Sequence, residues 1–510
     1  MLKRREVLRL AGGVAALTAL SARPGRAQQG QSPDEVLPFS ATFVADLARN
    51  LAAKPFSAPS SDLPSALNGL NVDAYAGIKA KEERFLWAQD PSGFAIEPLH
   101  RGFVFTTPMQ IHMVEDGLSR RLAYDSGSFD FGAIKLGSAP AGLDFSGFRI
   151  HQRDDNGKLH EIAMFQGATF FRALAPGQSY GVTARGLSVQ AGDSRGEEFP
   201  IFRAVWIEKP TRANNVVVIH ALLDSDSLTG AYRFTVHPGD AVIIDTECSL
   251  FPRVNIDNFG LGTMSATCLF NDIDRRGADD LRDAAAEVSG LQILTGADEW
   301  VWRPVANRNA LQISEFIDRN PHGFGFIQRG RDFTDYHDEA QHWERRPSVW
   351  IEPIGDWGAG SVELLEIPSD AESAQNIIAF WRGKPGLVKG QQADFAYRQF
   401  WCWTPPSRPP LSAAVASRGG RGANGRQRRF LVDFRGEALA DPVRVANLKA
   451  NLIASSGKVV AVEFFPTPAV KSCQVQFDIE IAGDKPCELR LTLEAQGAPV
   501  SETWLYRWTP

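Results

Sequence analysis

The feature that most constrains this chain is an alternation of apolar and polar residues with period two, repeated in short runs along most of its length. Residues 216–222, 232–236, 241–244 and 292–294 each read as strands. Turn strings such as His237-Pro238-Gly239-Asp240 and Asn320-Pro321-His322-Gly323 break the runs. Helical signals are few. Ser40 is placed to cap a short helix whose Phe43, Leu47 and Leu51 share one face, and residues 279–288 form a second candidate. Many short strands without regular intervening helices predict an all-β fold, a sandwich rather than a parallel α/β sheet.

At 510 residues the chain exceeds one ordinary domain. The run Thr404-Pro405-Pro406-Ser407-Arg408-Pro409-Pro410 cannot sustain a sheet, so a boundary is expected there. This gives a large N-terminal β-sandwich over 33–400 and an immunoglobulin-sized β-module over 411–510. In the latter, Val475, Phe477, Ile479 and Ile481 alternate with polar residues, as do Leu489, Leu491 and Leu493 beyond a Gly483-Asp484-Lys485-Pro486 turn, which reads as a hairpin with one buried face.

The first 27 residues read as a twin-arginine export signal. Arg4-Arg5 precede an apolar, small-residue stretch over 10–20, and Pro24-Gly25-Arg26-Ala27 resembles a cleavage site. The stretch falls short of the ~20 residues a membrane span needs, and no later one is long and apolar enough, so a soluble periplasmic protein is expected. Twin-arginine cargo crosses already folded, which suits five scattered cysteines with no C-x-x-C or zinc spacing. Cys248 and Cys268 sit on neighbouring strand-like runs and are candidates to face each other, reduced or bridged.

A net charge of −6 argues against nucleic acid as a partner. The basic tract from Arg418 to Arg429 has the look of an RNA-binding Arg-Gly segment. In an acidic, exported chain it reads better as a flexible loop between strands. No G-x-S-x-G, H-E-x-x-H or phosphate-binding loop is present, and neither cofactor nor metal is expected. His337-Asp338-Glu339 and His342 have a metal-like composition, but histidines five apart do not suit a helical zinc pair, and a cleft-lining loop is the better reading.

Between Glu299 and Pro368 the chain is dense in tryptophan, arginine and carboxylate. Indole rings stack on the C–H faces of sugars while charged side chains take the hydroxyls, so this composition suits a sugar cleft; it suits an aromatic sandwich core equally. Trp300 and Trp302 would share one strand face. With them, Arg303, Asp332, Arg346, Trp350, Asp356, Trp357 and Glu363 are the candidate sugar-contacting residues.

These strings, together with Tyr180-Gly181-Val182-Thr183-Ala184-Arg185-Gly186-Leu187, Gly196-Glu197-Glu198-Phe199-Pro200, Trp206-Ile207-Glu208-Lys209-Pro210 and Ser501-Glu502-Thr503-Trp504-Leu505-Tyr506, resemble the MdoG/OpgG–OpgD family of osmoregulated periplasmic glucan biosynthesis proteins. The resemblance implies a carbohydrate-active β-sandwich, mutarotase-like, with a cleft, followed by an immunoglobulin-like domain. It implies work on linear β-1,2-glucan as partner, beside a membrane glucan synthase machinery. Enzymes of the family cleave or transfer that glucan with inversion, using an aspartic acid as general acid through a substrate hydroxyl.

Carried over position by position, that chemistry is incomplete. The family's acid precedes a string that is Asn376-Ile377-Ile378-Ala379-Phe380-Trp381 here, and the residue before it is Gln375. An amide has no acidic proton to give. The second family Asp falls on Glu287, and a family Tyr on Trp343. Two readings follow: a glucan-binding protein that has lost hydrolysis, or an enzyme with reassigned carboxylates. An inverting pair needs ~6.5–9.5 Å between carboxyls, with Glu287, Glu372, Asp332, Asp335 and Asp356 as candidates. A structural envelope protein without a ligand is the third class.

Overall fold

The computed structural model describes residues 35–509 apart from 138–141, 276, 482 and 484. The export signal lies outside the described residues, as does Asp484 of the expected Gly483–Pro486 turn. The chain forms two compact units, one built from the N-terminal segment to Pro176 with Thr183–Thr263 and Arg382–Trp401, the other from Gly177–Val182, Met264–Trp381 and the chain from Cys402 onward. Among the described residues no helix is long and apolar enough to cross a membrane.

The first unit is built on an antiparallel meander of Ile201–Glu208, Val217–Asp224, Leu228–His237 and Val242–Pro252, extended by Ala393–Cys402. A second layer runs through Phe94–Leu99, Gly147–Arg153, Leu159–Gln166, Phe170–Ala173 and Thr183–Arg185. The inward residues of the two layers meet in an aromatic core, with Phe165 and Phe171 each about 5 Å from the Phe234 ring (5.3 and 5.4 Å). This is the sandwich that the alternation implies. The expected first helix is Phe43–Ala52, and Phe43, Leu47 and Leu51 pack on a cluster around Trp206. Its N-cap is Thr42, with no side-chain cap; Ser40 contributes only its carbonyl, to the Phe43 N–H at 3.1 Å.

In the second unit Gly290–Leu294 lies between Trp300–Pro304 and Gly323–Ile327, and Ser348–Ile354 follows the latter. The C-terminal strand Thr503–Trp508 runs parallel to the tryptophan strand, with Trp302 opposite Trp504, and continues the sheet into Cys487–Ala495 and Leu448–Ala454. Facing these C-terminal strands is a four-stranded sheet of Ala413–Arg421, Gln427–Arg435, Ser472–Glu480 and Lys458–Thr467. Phe430 and Phe477 lie 6.4 and 6.0 Å from the Trp504 ring between the layers.

Three expectations are corrected here. Ser472–Glu480 and Cys487–Ala495 are not a hairpin: the first pairs with Gln427–Arg435 and Lys458–Thr467, the second with Leu448–Ala454 and Thr503–Trp508. Both have one apolar face, and each buries it against the other layer by lying in opposite sheets. The tract Arg418–Arg429 is mostly strand rather than loop, because Phe430 and Val432 anchor it in the core and leave only 422–426 to turn. Residues 279–288 are not helical. Asp280 accepts the Arg282 N–H at 2.9 Å in a turn, and Ala285–Ala286 is a short strand against Cys268–Phe270, so tertiary pairing overrides local propensity.

Candidate functional site

The register of that short strand pair sets the geometry of the second unit's polar cluster. Cys268 lies opposite Ala286, which brings Glu287 beside Thr267. The Glu287 N–H donates to the Thr267 carbonyl at 2.9 Å, and the Thr267 N–H returns to Glu287 Oε2 at 2.9 Å. The Thr267 hydroxyl donates to the carbonyl of Ala374 at 2.9 Å. On the other side of Gln375, the Asn376 amide accepts the Cys268 N–H at 2.9 Å and donates to the Cys268 carbonyl at 2.9 Å. Both neighbours of Gln375 are thus pinned to the dipeptide that also holds Glu287. The half-buried Gln375 and the buried Glu287 are brought together by Thr267-Cys268.

Trp343 closes another side. It opens the short 3-10 turn Trp343–Arg345, is buried, and donates its indole N–H to Asp338 Oδ2 at 2.9 Å. Arg282 donates to the same oxygen at 2.8 Å and to Glu372 Oε1 at 3.1 Å, tying the 338–343 loop to the segment before Gln375. The Arg346 guanidinium lies 5.3 Å from the centre of the Trp343 ring and donates to Gln341 Oε1 at 2.8 Å, while its buried Nε has no hydrogen bond. Burial lowers the Arg346 pKa, although the charges of Glu287, Asp338, Glu372 and Glu344 oppose that shift. Gln328 bridges the carbonyls of Ala286 and Trp343 at 3.0 and 3.4 Å. Glu344, buried, has Oε1 2.9 Å from His342 Nδ1 and an Oε2 without a hydrogen bond.

Chemically this is a set of carboxylates around two guanidiniums on an indole floor, with hydrogen-bonding atoms left over. Such a set can take the hydroxyls of a neutral polyol. Position 375 offers an amide, which accepts and donates hydrogen bonds but transfers no proton.

Glu287, Gln375, Trp343 and Arg346 are therefore brought together, and the other candidates lie elsewhere. Trp300 and Trp302 do not present a pair of free faces, which corrects the stacking expectation. All five residues of Trp300–Pro304 are buried, because the strand has neighbours on both edges and cover on both faces. Trp302 carries the Arg329 guanidinium 3.4 Å from its ring centre, and Trp300 stacks on Trp350 at 5.9 Å. Gly290 and Gly323 leave room for these indoles: a Cβ there would stand 2.7 Å from Trp302 and 2.3 Å from Trp350. Arg303 pairs with Glu366 at 3.0 Å, both buried. Trp357 packs between Phe324 and Trp381, and buried Glu363 accepts from Ser361 at 2.8 Å. Asp332 is exposed at the start of the turn Phe333–Asp335. Exposed Asp356 rims a groove of about 600 Å³ with Arg319 and His322.

The 337–342 loop divides its side chains among separate partners. His337 pairs with Asp283 at 2.5 Å, Asp338 with Arg282 and Trp343, and His342 with Glu344. Arg282, Thr267 and Glu344 belong to the cluster although no motif in the sequence marks them, and Asn376 belongs to it as the first residue of the string after Gln375. For the first three, only the position of Glu344 beside Trp343 gave a hint.

Fold and cluster together define an all-β sandwich protein with a buried acid–guanidinium–indole site. Comparison with known proteins narrows this. Over residues 39–508 the chain matches the family described as "Periplasmic glucan biosynthesis protein, MdoG", and it belongs to that family. It is 41% identical to "Glucans biosynthesis protein G" of Rhodopseudomonas palustris (strain ATCC BAA-98 / CGA009), over 100% of both chains. It is 40% identical to the protein of that name in Bradyrhizobium diazoefficiens, again over 100% of both. It is 39% identical to "Glucans biosynthesis protein D" of Stenotrophomonas maltophilia (strain K279a), over 93% of this chain and 90% of the relative.

Proposed function

We propose that this protein acts in the periplasm in glucan biosynthesis, binding linear β-1,2-glucan at the Glu287–Gln375 cluster and shaping it without hydrolysing it. The observation that carries this reading is the amide at position 375. Its two neighbours are held against Thr267-Cys268, beside Glu287, the carboxylate that the family resemblance puts at the second acidic position. Trp343, without the hydroxyl of the family's tyrosine, adds to it. The family membership and the names of the relatives support the glucan. The twin-arginine string supports export by that route, and a membrane glucan synthase machinery is the partner that would supply the chain. Residues 411–510 act in this reading as an immunoglobulin-like module.

One observation favours a second reading, an inverting glucan hydrolase or transglycosylase with a reassigned acid: the buried Glu344 has a carboxyl oxygen without a hydrogen bond. Incubating purified mature protein with linear β-1,2-glucan, and separating products by size over a long time course, tests both. Bound but uncut glucan, with fragments only from Gln375→Asp, is expected. Fragments or cyclised products from the unaltered protein would overturn the binding reading and turn attention to Glu344 and Glu287.

A further inference from the structure

A groove in the first unit sets an exposed aromatic ring among polar side chains. It encloses about 380 Å³, within the roughly 300–1,000 Å³ of small-molecule sites, and is lined by Phe56, Gln190, Glu197, Phe199 and Asp226 among others. Phe199 is 45% exposed, far more than a core phenylalanine. It is nonetheless held in place: Arg185 sits 5.6 Å from its ring centre and 5.2 Å from that of Phe170, and the two rings are 6.3 Å apart. Arg185 also pairs with Glu197. Glu198 is fixed by the Ser227 N–H at 3.0 Å and its hydroxyl at 2.5 Å, so the wall beside the ring is rigid. A side chain at Gly196 would meet no atom within 4 Å, which marks open space beside the ring.

The charges decide the class of ligand. Glu197 is already paired with Arg185, and Arg195 with Asp193 at 2.8 Å, so the carboxylates of Glu198 and Asp226 dominate the lining and an anion is disfavoured. A cation on the open face of Phe199 would share the ring with Arg185, which already draws on its π density. What remains is a neutral ligand with an apolar C–H face and hydroxyls at its edge.

We propose that this groove is a second carbohydrate subsite, in which one glucopyranosyl unit stacks on Phe199 and gives its hydroxyls to Gln190 and Asp226. The proposal rests on the reading that the protein binds glucan. Its test is calorimetric titration of the mature protein with a linear β-1,2-glucan oligosaccharide, with melting temperature recorded for each variant. Phe199→Ala is expected to weaken binding about tenfold and Asp226→Asn about threefold, both with the melting temperature kept. In an Arg346→Ala background, residual binding should persist and disappear on adding Phe199→Ala. Unchanged affinity in both folded groove variants overturns the proposal while leaving the glucan reading intact. No binding by the unaltered protein overturns the glucan reading, and this proposal with it. Should Phe199→Ala melt early, Asp226→Asn alone decides.

Discussion

Glu287 and Thr267 close a two-point ring, backbone to backbone at 2.9 Å and Thr267 N–H to Glu287 carboxylate at 2.9 Å. Glu287 therefore does structural duty in addition to any ligand contact. Glu287→Ala would leave a buried N–H without its acceptor, and a loss of about 1–3 kcal/mol is expected in denaturant unfolding. Glu287→Gln keeps an acceptor oxygen and should cost clearly less. Equal losses for the two variants would show that charge, and not the clamp, matters.

Asp338 gives the cluster a pH dependence with a definite sign. Burial by itself raises the Asp338 pKa, but hydrogen bonds from Arg282, the Gln341 N–H, Trp343 and the Ala340 N–H outweigh it and lower the pKa below the ordinary value. A carboxylate with a depressed folded pKa contributes stability above its unfolded pKa, about 3.9, and loses it as pH falls through the folded value. Melting temperature should therefore drop more steeply on acidification from about pH 5 to 3 in the unaltered protein than in Asp338→Asn. Parallel acid limbs for the two proteins would contradict this.

Trp302 is a core residue by its placement. Trp302→Ala is expected to cost about 3–5 kcal/mol in unfolding experiments. Trp302→Phe should be milder and leave glucan affinity per folded molecule unchanged, as read by calorimetry. A selective loss of affinity in a folded Trp302→Phe would restore the stacking role.

All five cysteines are free and buried, Cys248 and Cys268 included. Burial pushes the Cys248 thiol up to about 12, which suppresses the reactive thiolate. A thiol reagent should therefore titrate five groups in denaturant and very few in the native protein, and reductant should leave the melting temperature unchanged. Fewer than five after denaturation would reveal a bridge.

What the sequence determined by itself is local or written in strings. The alternation specified strands and an all-β sandwich, because a strand's two faces follow directly from residue parity. The Phe43–Leu47–Leu51 face specified the first helix. The neighbours of Gln375 singled that position out, and the ordered strings fixed the family.

What tertiary structure alone decided is which strands share a sheet and which faces are covered. Val475 and Leu491 look like two arms of one hairpin, yet lie in opposite layers, since parity shows that a face is buried without showing against what. Trp300 and Trp302 look like a sugar platform, yet both are buried, because side chains from other segments occupy their rings, Arg329 over Trp302 and Trp350 against Trp300. Glu287 and Gln375 are 88 residues apart, and only the pairing of Cys268 with Ala286 and the grip of Asn376 on Cys268 bring them to one place. Contacts between distant segments depend on how the whole chain packs, and local pattern carries no record of that.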